Sequence, residues 1–284
     1  MVTTDLGRAP VRAPGNGSCA HGPRSSDWPL PVLMYHAVSR VEGRLRRLGV
    51  PATLLEEQLS ALTDAGHALL GLTDAIAAAS CGRRDVVALT FDDGYEDFLR
   101  LAVPILHKLE AQATLYVPTR FIGRPAAWLG QRQTHVPQVM SRADLAACVA
   151  SGRVEIGSHS HSHRPLDALA SDELISEVDR SRGILEDLLD VRVSSFCYPH
   201  GYHSHDVRRV VREAGYDNAC EVGRRLRPIA HRWSISRLAV EPSHTAPILC
   251  RQLRTGGPAA IPTIKRALQP AWRQVRIARS RMAA

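Results

Sequence analysis

Short apolar runs of strand length alternate with stretches whose apolar residues recur every three or four positions, and the alternation continues along most of the chain. After Pro31 the run VLMYH ends in His36, and TLLEEQLSALTDAG then sets Leu55, Leu59 and Leu62 on one helical face ahead of a glycine stop. VVALTF, from Val86 to Phe91, is β-branched and aromatic over the length of one buried strand. Phe98, Ala102, Ile105 and Leu109 follow as a helical face, and ATLYV, 113–117, as the next strand. SRADLAACVASG opens with Ser141 and Asp144 in capping-box spacing and closes at Gly152, and VEIGSH reads as a strand that delivers His159 to its end. Leu174, Val178, Leu185 and Leu188 mark a long amphipathic helix. VSSFCYP is a strand, Val207, Val210 and Ala214 form a helix stopped by Gly215, DNACEV is a short strand, and WSISRLAV is the last one. This rhythm predicts an α/β fold with parallel strands and outer helices: a distorted (β/α) barrel of about seven strands, or a doubly wound open sheet, which produces the same pattern.

Composition changes this picture little. A chain of 284 residues that is 44% hydrophobic can bury the core of one such domain. The net charge of +8 points to acidic polymers, phosphate-bearing substrates or an anionic membrane surface, or simply to an arginine-rich exterior. Nucleic acid is not expected. Cys19, Cys81, Cys148, Cys197, Cys220 and Cys250 contain no CxxC pair, so neither a zinc ribbon nor a disulfide scaffold is indicated, and a reducing compartment fits. Residues 1–30 are rich in Pro, Gly, Ser and Arg and have no apolar core of a secretory signal, which predicts a disordered leader and a cytoplasmic location.

Three polar clusters fall at predicted strand ends: DDG at 92–94, HSHSH at 159–163 and YPHGYHSH at 198–205. Polar residues gathered at one face of a barrel are what an active site requires. Adjacent aspartates also cap helices, so Asp92 and Asp93 alone decide nothing. Three imidazoles within five residues are harder to explain without a metal or a proton to handle. Two imidazoles and one carboxylate would hold a divalent ion and leave positions open for water and substrate. His159 and His163, four apart, converge if the segment turns through one helical pitch, whereas His159 and His161 diverge in an extended segment. One aspartate would complete the set and the other remain as a base.

These residues resemble the metal-dependent polysaccharide deacetylases of carbohydrate esterase family four. TFDDG, Thr90 to Gly94, is similar to the family's first motif, and His159 to His163 to its second, in order and at the expected separation. The resemblance covers roughly Pro31 to Val240 and implies that Asp92 is the catalytic base, while Asp93, His159 and His163 hold the metal. Zinc suits that set, and cobalt, nickel or iron are also accepted by imidazole and carboxylate. Tyr198 and Pro199 are implied on the substrate side, with the Tyr198 N–H at the oxyanion. The family's third motif has an arginine before a Tyr-Pro pair, and here Phe196 stands in its place. Arg237, on the last predicted strand, is the candidate for orienting Asp92, unless it is a solvated surface arginine. No Leu-x-His motif for a general acid follows Arg237. VLMYH places His36 at the start instead, which resembles the circularly permuted branch of the family, unless His36 is merely a buried histidine.

The implied reaction is hydrolytic N-deacetylation of a polysaccharide, oligosaccharide or glycolipid precursor, with His36 protonating the departing amine. A carbohydrate-binding protein without turnover and a deacetylase for an O-acetyl ester or a non-sugar amide are the alternatives. The domain reading is a leader 1–30, a catalytic domain 31–253 and a tail 254–284. The tail lacks acidic residues, and Ile261, Ile264, Leu268, Trp272 and Val275 form an apolar stripe beside Lys265, Arg266, Arg273, Arg276, Arg279 and Arg281. Such a helix either lies on an anionic membrane, bringing the protein to lipid-linked sugars, or packs back on the barrel.

Overall fold

The computed structural model describes residues 29–39, 41, 46–130, 136–223 and 226–257. The expected disordered leader up to residue 28 and the amphipathic tail from residue 258 lie outside the described residues.

The strands are β1 (Val32–Tyr35), β2 (Ala68–Leu70), β3 (Val86–Phe91), β4 (Ala113–Val117), β5 (Val154–Ser158), β6 (Ser195–Cys197), β7 (Asn218–Gly223) and β8 (Ile235–Ala239). In the spatial order β1-β8-β7-β6-β5-β4-β3, with β3 returning to β1, seven parallel strands close a ring. The closed barrel is thus the realised alternative and the open sheet is not. Closure depends on the first strand: Val32 lies opposite Ala88 and Tyr35 opposite Phe91 on one side, and Leu33 opposite Leu238 on the other. β2 is a short eighth strand that pairs with the first half of β3, and Gln112 N–H, just before β4, donates to Leu69 O at 2.9 Å.

The helices are α1 (Ala52–Asp64), α2 (Leu72–Ser80), α3 (Val103–Lys108), α4 (Arg142–Ala150), α5 (Ser171–Leu189), α6 (His205–Glu213) and α7 (Ala246–Thr255). The Ser141–Asp144 capping box opens α4, with Asp144 N–H donating to Ser141 Oγ at 3.3 Å and Ser141 N–H to Asp144 Oδ2 at 3.0 Å. A π turn over Phe98–Ala102 leads into α3. β2, α2 and α7 have no counterpart in the sequence reading. β2 is only three residues long, and the alanine-rich α2 shows little contrast between its faces. α7 runs across the expected domain boundary after residue 253 and stops at Gly256, whose φ of 73° gives a left-handed cap.

Strand alternation sorts the core into two layers. Leu33, Tyr35, Leu89, Phe91, Leu115 and Val117 pack outward under the helices. Val32, Ala88, Tyr116, Cys197, Cys220 and Ile235 pack with Leu72, Ala75, Ile76 and Ala79 of α2, which closes the N-terminal end of the barrel. Gly157 makes room for Tyr116: a Cβ at that position would lie 2.5 Å from its ring. Because the strands are parallel, His36, Asp92, His159 and Tyr198 all leave the sheet at the opposite rim.

Candidate active site

Asp92 continues the inward parity of Ala88 and Thr90, so its carboxylate enters the top of the barrel lumen. Arg237 of β8 meets it there, 0% exposed, donating from Nη1 to Oδ1 at 2.6 Å and from Nη2 to Oδ2 at 2.7 Å. The guanidinium is itself held by Thr90 Oγ1 at 3.0 Å, Glu221 O at 3.2 Å and Cys197 Sγ at 3.0 Å. Burial alone would push the Asp92 carboxyl up, but the charge and hydrogen bonds of Arg237 outweigh it and hold the group below the usual carboxylate range. On the barrel's closing seam, Asp92 N–H donates to Tyr35 O at 3.0 Å, and the next residue, His36, brings Nε2 to 3.8 Å from Asp92 Oδ2.

Asp93 points the other way because the chain reverses at it. Its φ is 73°, and Gly94 follows at 62°. Of the six non-glycine residues with positive φ among the described residues, Asp93, Ser160, His163 and His200 surround this rim, while Glu110 and Asp190 end helices. Strained backbone gathered at one place is a sign of a functional site. The 159–163 segment is not the helical turn expected from its spacing. Left-handed Ser160 and His163 fold it back, and Glu177 fixes it by accepting from His161 N–H at 3.0 Å and Ser162 N–H at 2.7 Å.

His159 Nε2 and His163 Nε2 thereby face Asp93 Oδ1 at 3.6 and 3.3 Å, while Tyr95 OH donates to Asp93 Oδ2 at 2.7 Å. Burial pushes the His159 imidazole down to about 4, so it is neutral near pH 7. Its Nδ1 lies 2.9 Å from Cys197 O, a partner that only accepts, so Nδ1 carries the proton and Nε2 the lone pair. A lone pair aimed at a buried carboxylate is two acceptors facing each other, and a cation between them relieves the conflict. The donor set therefore fits a divalent ion: one carboxylate oxygen and two imidazole nitrogens within 4.8 Å of one another. Asp92, His159 and Cys197 are equally close. That second set fits worse, because Arg237 occupies Asp92 and burial pushes the Cys197 thiol up, keeping it protonated.

The Tyr198 expectation needs correction. Its N–H donates to Cys220 O at 3.1 Å within the β6–β7 ladder and its hydroxyl to Trp233 O at 2.9 Å, so neither is directed at a substrate. Pro199 is buried and opens the short turn Pro199–Gly201. It is His200 of this segment that lines the cleft, edge-on to His163 with ring centroids 4.7 Å apart. Trp128 stacks on the other side of His163 at 4.7 Å, and the cleft between these walls measures about 560 Å³. Phe196, at the position expected of an arginine, is buried in the outer core against Tyr198 and Tyr216. Cys197, read from the sequence as packing, instead bridges the Asp92–Arg237 pair. Tyr95, Trp128 and His200 were not singled out. Tyr95 directly follows DDG and could have been noticed, whereas Trp128 and His200 come close to His163 only through the fold.

Residues 79–219 match the family model for polysaccharide deacetylase. The chain carries a polysaccharide deacetylase domain. Over 190 residues it is 25% identical to Bacillus subtilis YxkH, covering 66% of this chain and 62% of that protein. Over 145 residues it is 24% identical to chitin deacetylase 1 of Cryptococcus neoformans, covering 51% of this chain and 27% of the relative. The matches thus span less than two thirds of either relative. Among solved structures the fold is shared with the Streptococcus pyogenes deacetylase PplD in complex with acetate, at a TM-score of 0.68 and 23% identity over 82% of this chain and all of that one. IcaB from Ammonifex degensii is similar to the same degree, with a TM-score of 0.68 and 22% identity over 79% of this chain and 96% of that one. The deacetylase match contains Asp92, Asp93, His159 and His163. His36 and Arg237 lie outside it, the one directly after β1 and the other on the neighbouring β8.

Proposed function

We propose that this deacetylase domain is a metal-dependent N-deacetylase of N-acetylated carbohydrate. One observation carries the reading: a carboxylate clamped in its ionised form, Asp92, lies beside a separate three-donor set, Asp93, His159 and His163, at the mouth of one cleft. The chitin deacetylase among its relatives and the acetate complex of PplD support a sugar acetamide as substrate.

Asp93 Oδ1, His159 Nε2 and His163 Nε2 would hold the ion, zinc or alternatively cobalt, nickel or iron. When bound, such an ion makes water a nucleophile near neutral pH and polarises an amide carbonyl. Asp92 takes a proton from the attacking water as its oxygen bonds to the carbonyl carbon. Arg237 is a positioning residue, holding both oxygens of Asp92 so that the base stays ionised and fixed in rotation. His36 gives a proton to the amide nitrogen as the C–N bond breaks, leaving acetate and a free amine. Its place on the first strand fits a permuted chain in which the acid has moved from the last segment to the first. A binding protein without turnover was favoured by the missing third-motif arginine, and Arg237 removes that ground. The catalytic unit is the barrel 31–253 together with the end of α7.

The test is acetate release from N-acetylated oligosaccharides by the purified chain, abolished by a chelator and restored by divalent metal. Release that a chelator leaves untouched, or acetate from O-acetyl esters alone, would overturn the proposal.

A further inference from the structure

Next to the 159–163 loop, and opening beside the main cleft, lies a second recess of about 380 Å³ lined by Thr119, Arg120, Ile122, Arg124, His161 and Arg180. Its lining holds three guanidiniums and one imidazole and no carboxylate. Arg120, Arg124 and Arg180 make no ion pair among the described residues, whereas Arg164, Arg182 and Arg192, also on this half of the chain, each pair with an acid. Glu177 on α5, beside this loop, is already engaged by the amides of His161 and Ser162 and by the Ser162 hydroxyl. Uncompensated positive charge from the loop after β4 and from α5 is thus concentrated on one concavity. Like charges brought together without a counter-ion repel, and an anion seated among them removes that repulsion.

The recess is fixed relative to the metal-ligand loop. Thr119 N–H donates to Ser160 O at 3.2 Å and Arg120 N–H to His161 O at 2.9 Å, while Thr119 Oγ1 and His161 Nδ1 are 2.8 Å apart. Arg120 lines both the recess and the main cleft, where Trp128, His163 and His200 stand. An anionic group in the recess would therefore belong to the molecule whose acetamide reaches the metal ligands. Three guanidiniums suit a phosphoryl group, which carries about −1.5 to −2 charge and three acceptor oxygens, better than a singly charged carboxylate.

We propose that this recess is a subsite for a phosphoryl group and that the substrate is an N-acetylated sugar bearing a phosphate. The phosphoryl site stands on its own geometry, and the assignment to substrate rests on the deacetylase reading above. The experiment uses the full chain and the double substitution Arg124→Gln, Arg180→Gln, two exposed positions where the fold should tolerate change. Inorganic phosphate is titrated by calorimetry at low salt, and KM is measured for a phosphorylated N-acetylated oligosaccharide, its uncharged counterpart and a uronate-bearing one. Expected are phosphate binding weakened at least tenfold by the double substitution, and a KM for the phosphorylated substrate at least tenfold below that for the uncharged one, a preference that collapses in the variant. Phosphate affinity unchanged by the substitution, equal KM for charged and uncharged substrates, or a preference for the uronate would each overturn the phosphoryl subsite. Failure to release acetate from any substrate would instead overturn the deacetylase reading, and the phosphate titration would still decide the recess.

Discussion

Two adjacent aspartates have different surroundings because one residue of left-handed backbone separates their directions. Asp92, the first residue past β3, keeps the strand's inward direction and meets Arg237 in the lumen, whereas Asp93, at φ 73°, turns to the imidazoles. Their substitutions should therefore fail differently. Asp93→Ala and His163→Ala are expected to lose bound metal, and Asp92→Asn to keep metal and lose turnover, as read by elemental analysis after dialysis beside acetate release. Equal metal content in wild type and Asp93→Ala would count against the assignment. Arg237 makes a second contrast. Arg237→Met strands a buried carboxylate and should cost roughly 3–5 kcal/mol in urea unfolding. Arg237→Lys keeps the cation but loses the two-pronged hold, so turnover should fall at least tenfold with metal content unchanged. DDG and HSHSH were legible in the sequence because their spacing is local. The Arg237 contact spans 145 positions, and only its place on the last predicted strand hinted at it.

Among the elements, β1, β3 and β4 were legible because strands buried on both faces read as nearly continuous apolar runs. The polar side chains inside the barrel were not, since each finds its partner on another strand. Tyr116 OH lies 2.6 Å from Ser195 Oγ, which donates to Asn218 Oδ1 at 2.7 Å, and Asn218 Nδ2 donates to Thr73 Oγ1 at 3.2 Å. Thr73 in turn donates through its hydroxyl and its N–H to Glu155, so the chain of bonds ties α2 to the lumen. Burial raises the Glu155 pKa above the ordinary 4.5, and the donors from Thr114 and Thr73 only partly offset this. An acid that holds its proton more tightly when folded favours the native state at low pH. That contribution is lost as pH rises from the unfolded glutamate value through the raised one. Glu155→Gln should flatten this decline, which is visible as a smaller fall in the urea midpoint between pH 4 and 8. A variant whose midpoint falls as steeply as wild type would show that Glu155 ionises in the fold at no cost.

At the scale of the whole molecule, the closure of the ring joins chain segments that sequence order keeps apart. β1 lies between β3 and β8, so the first strand supplies His36 to a carboxylate from the third and an arginine from the eighth. With the first strand at this seam, the acid proposed for the reaction, His36, reaches Asp92 from the N-terminal side of the barrel, its Nε2 3.8 Å from Oδ2. The recurring strand and helix pattern made a barrel legible, but an open sheet parted at β1 would have lost either its pairing with β8, the strand that carries Arg237, or its pairing with β3, which sets His36 beside Asp92. The position of His36 therefore tests the reaction and the fold together. His36→Ala should fold, bind metal and lose hydrolysis of an N-acetylated sugar by about a hundredfold or more, the scale of a general acid. An activated acetyl ester, whose leaving group departs without a proton, should lose much less. The ratio of the two losses, measured on one preparation of known metal content, separates proton donation from other roles. Equal losses on amide and ester would make His36 a structural or substrate-binding residue and would leave the amine without a proton donor at this seam.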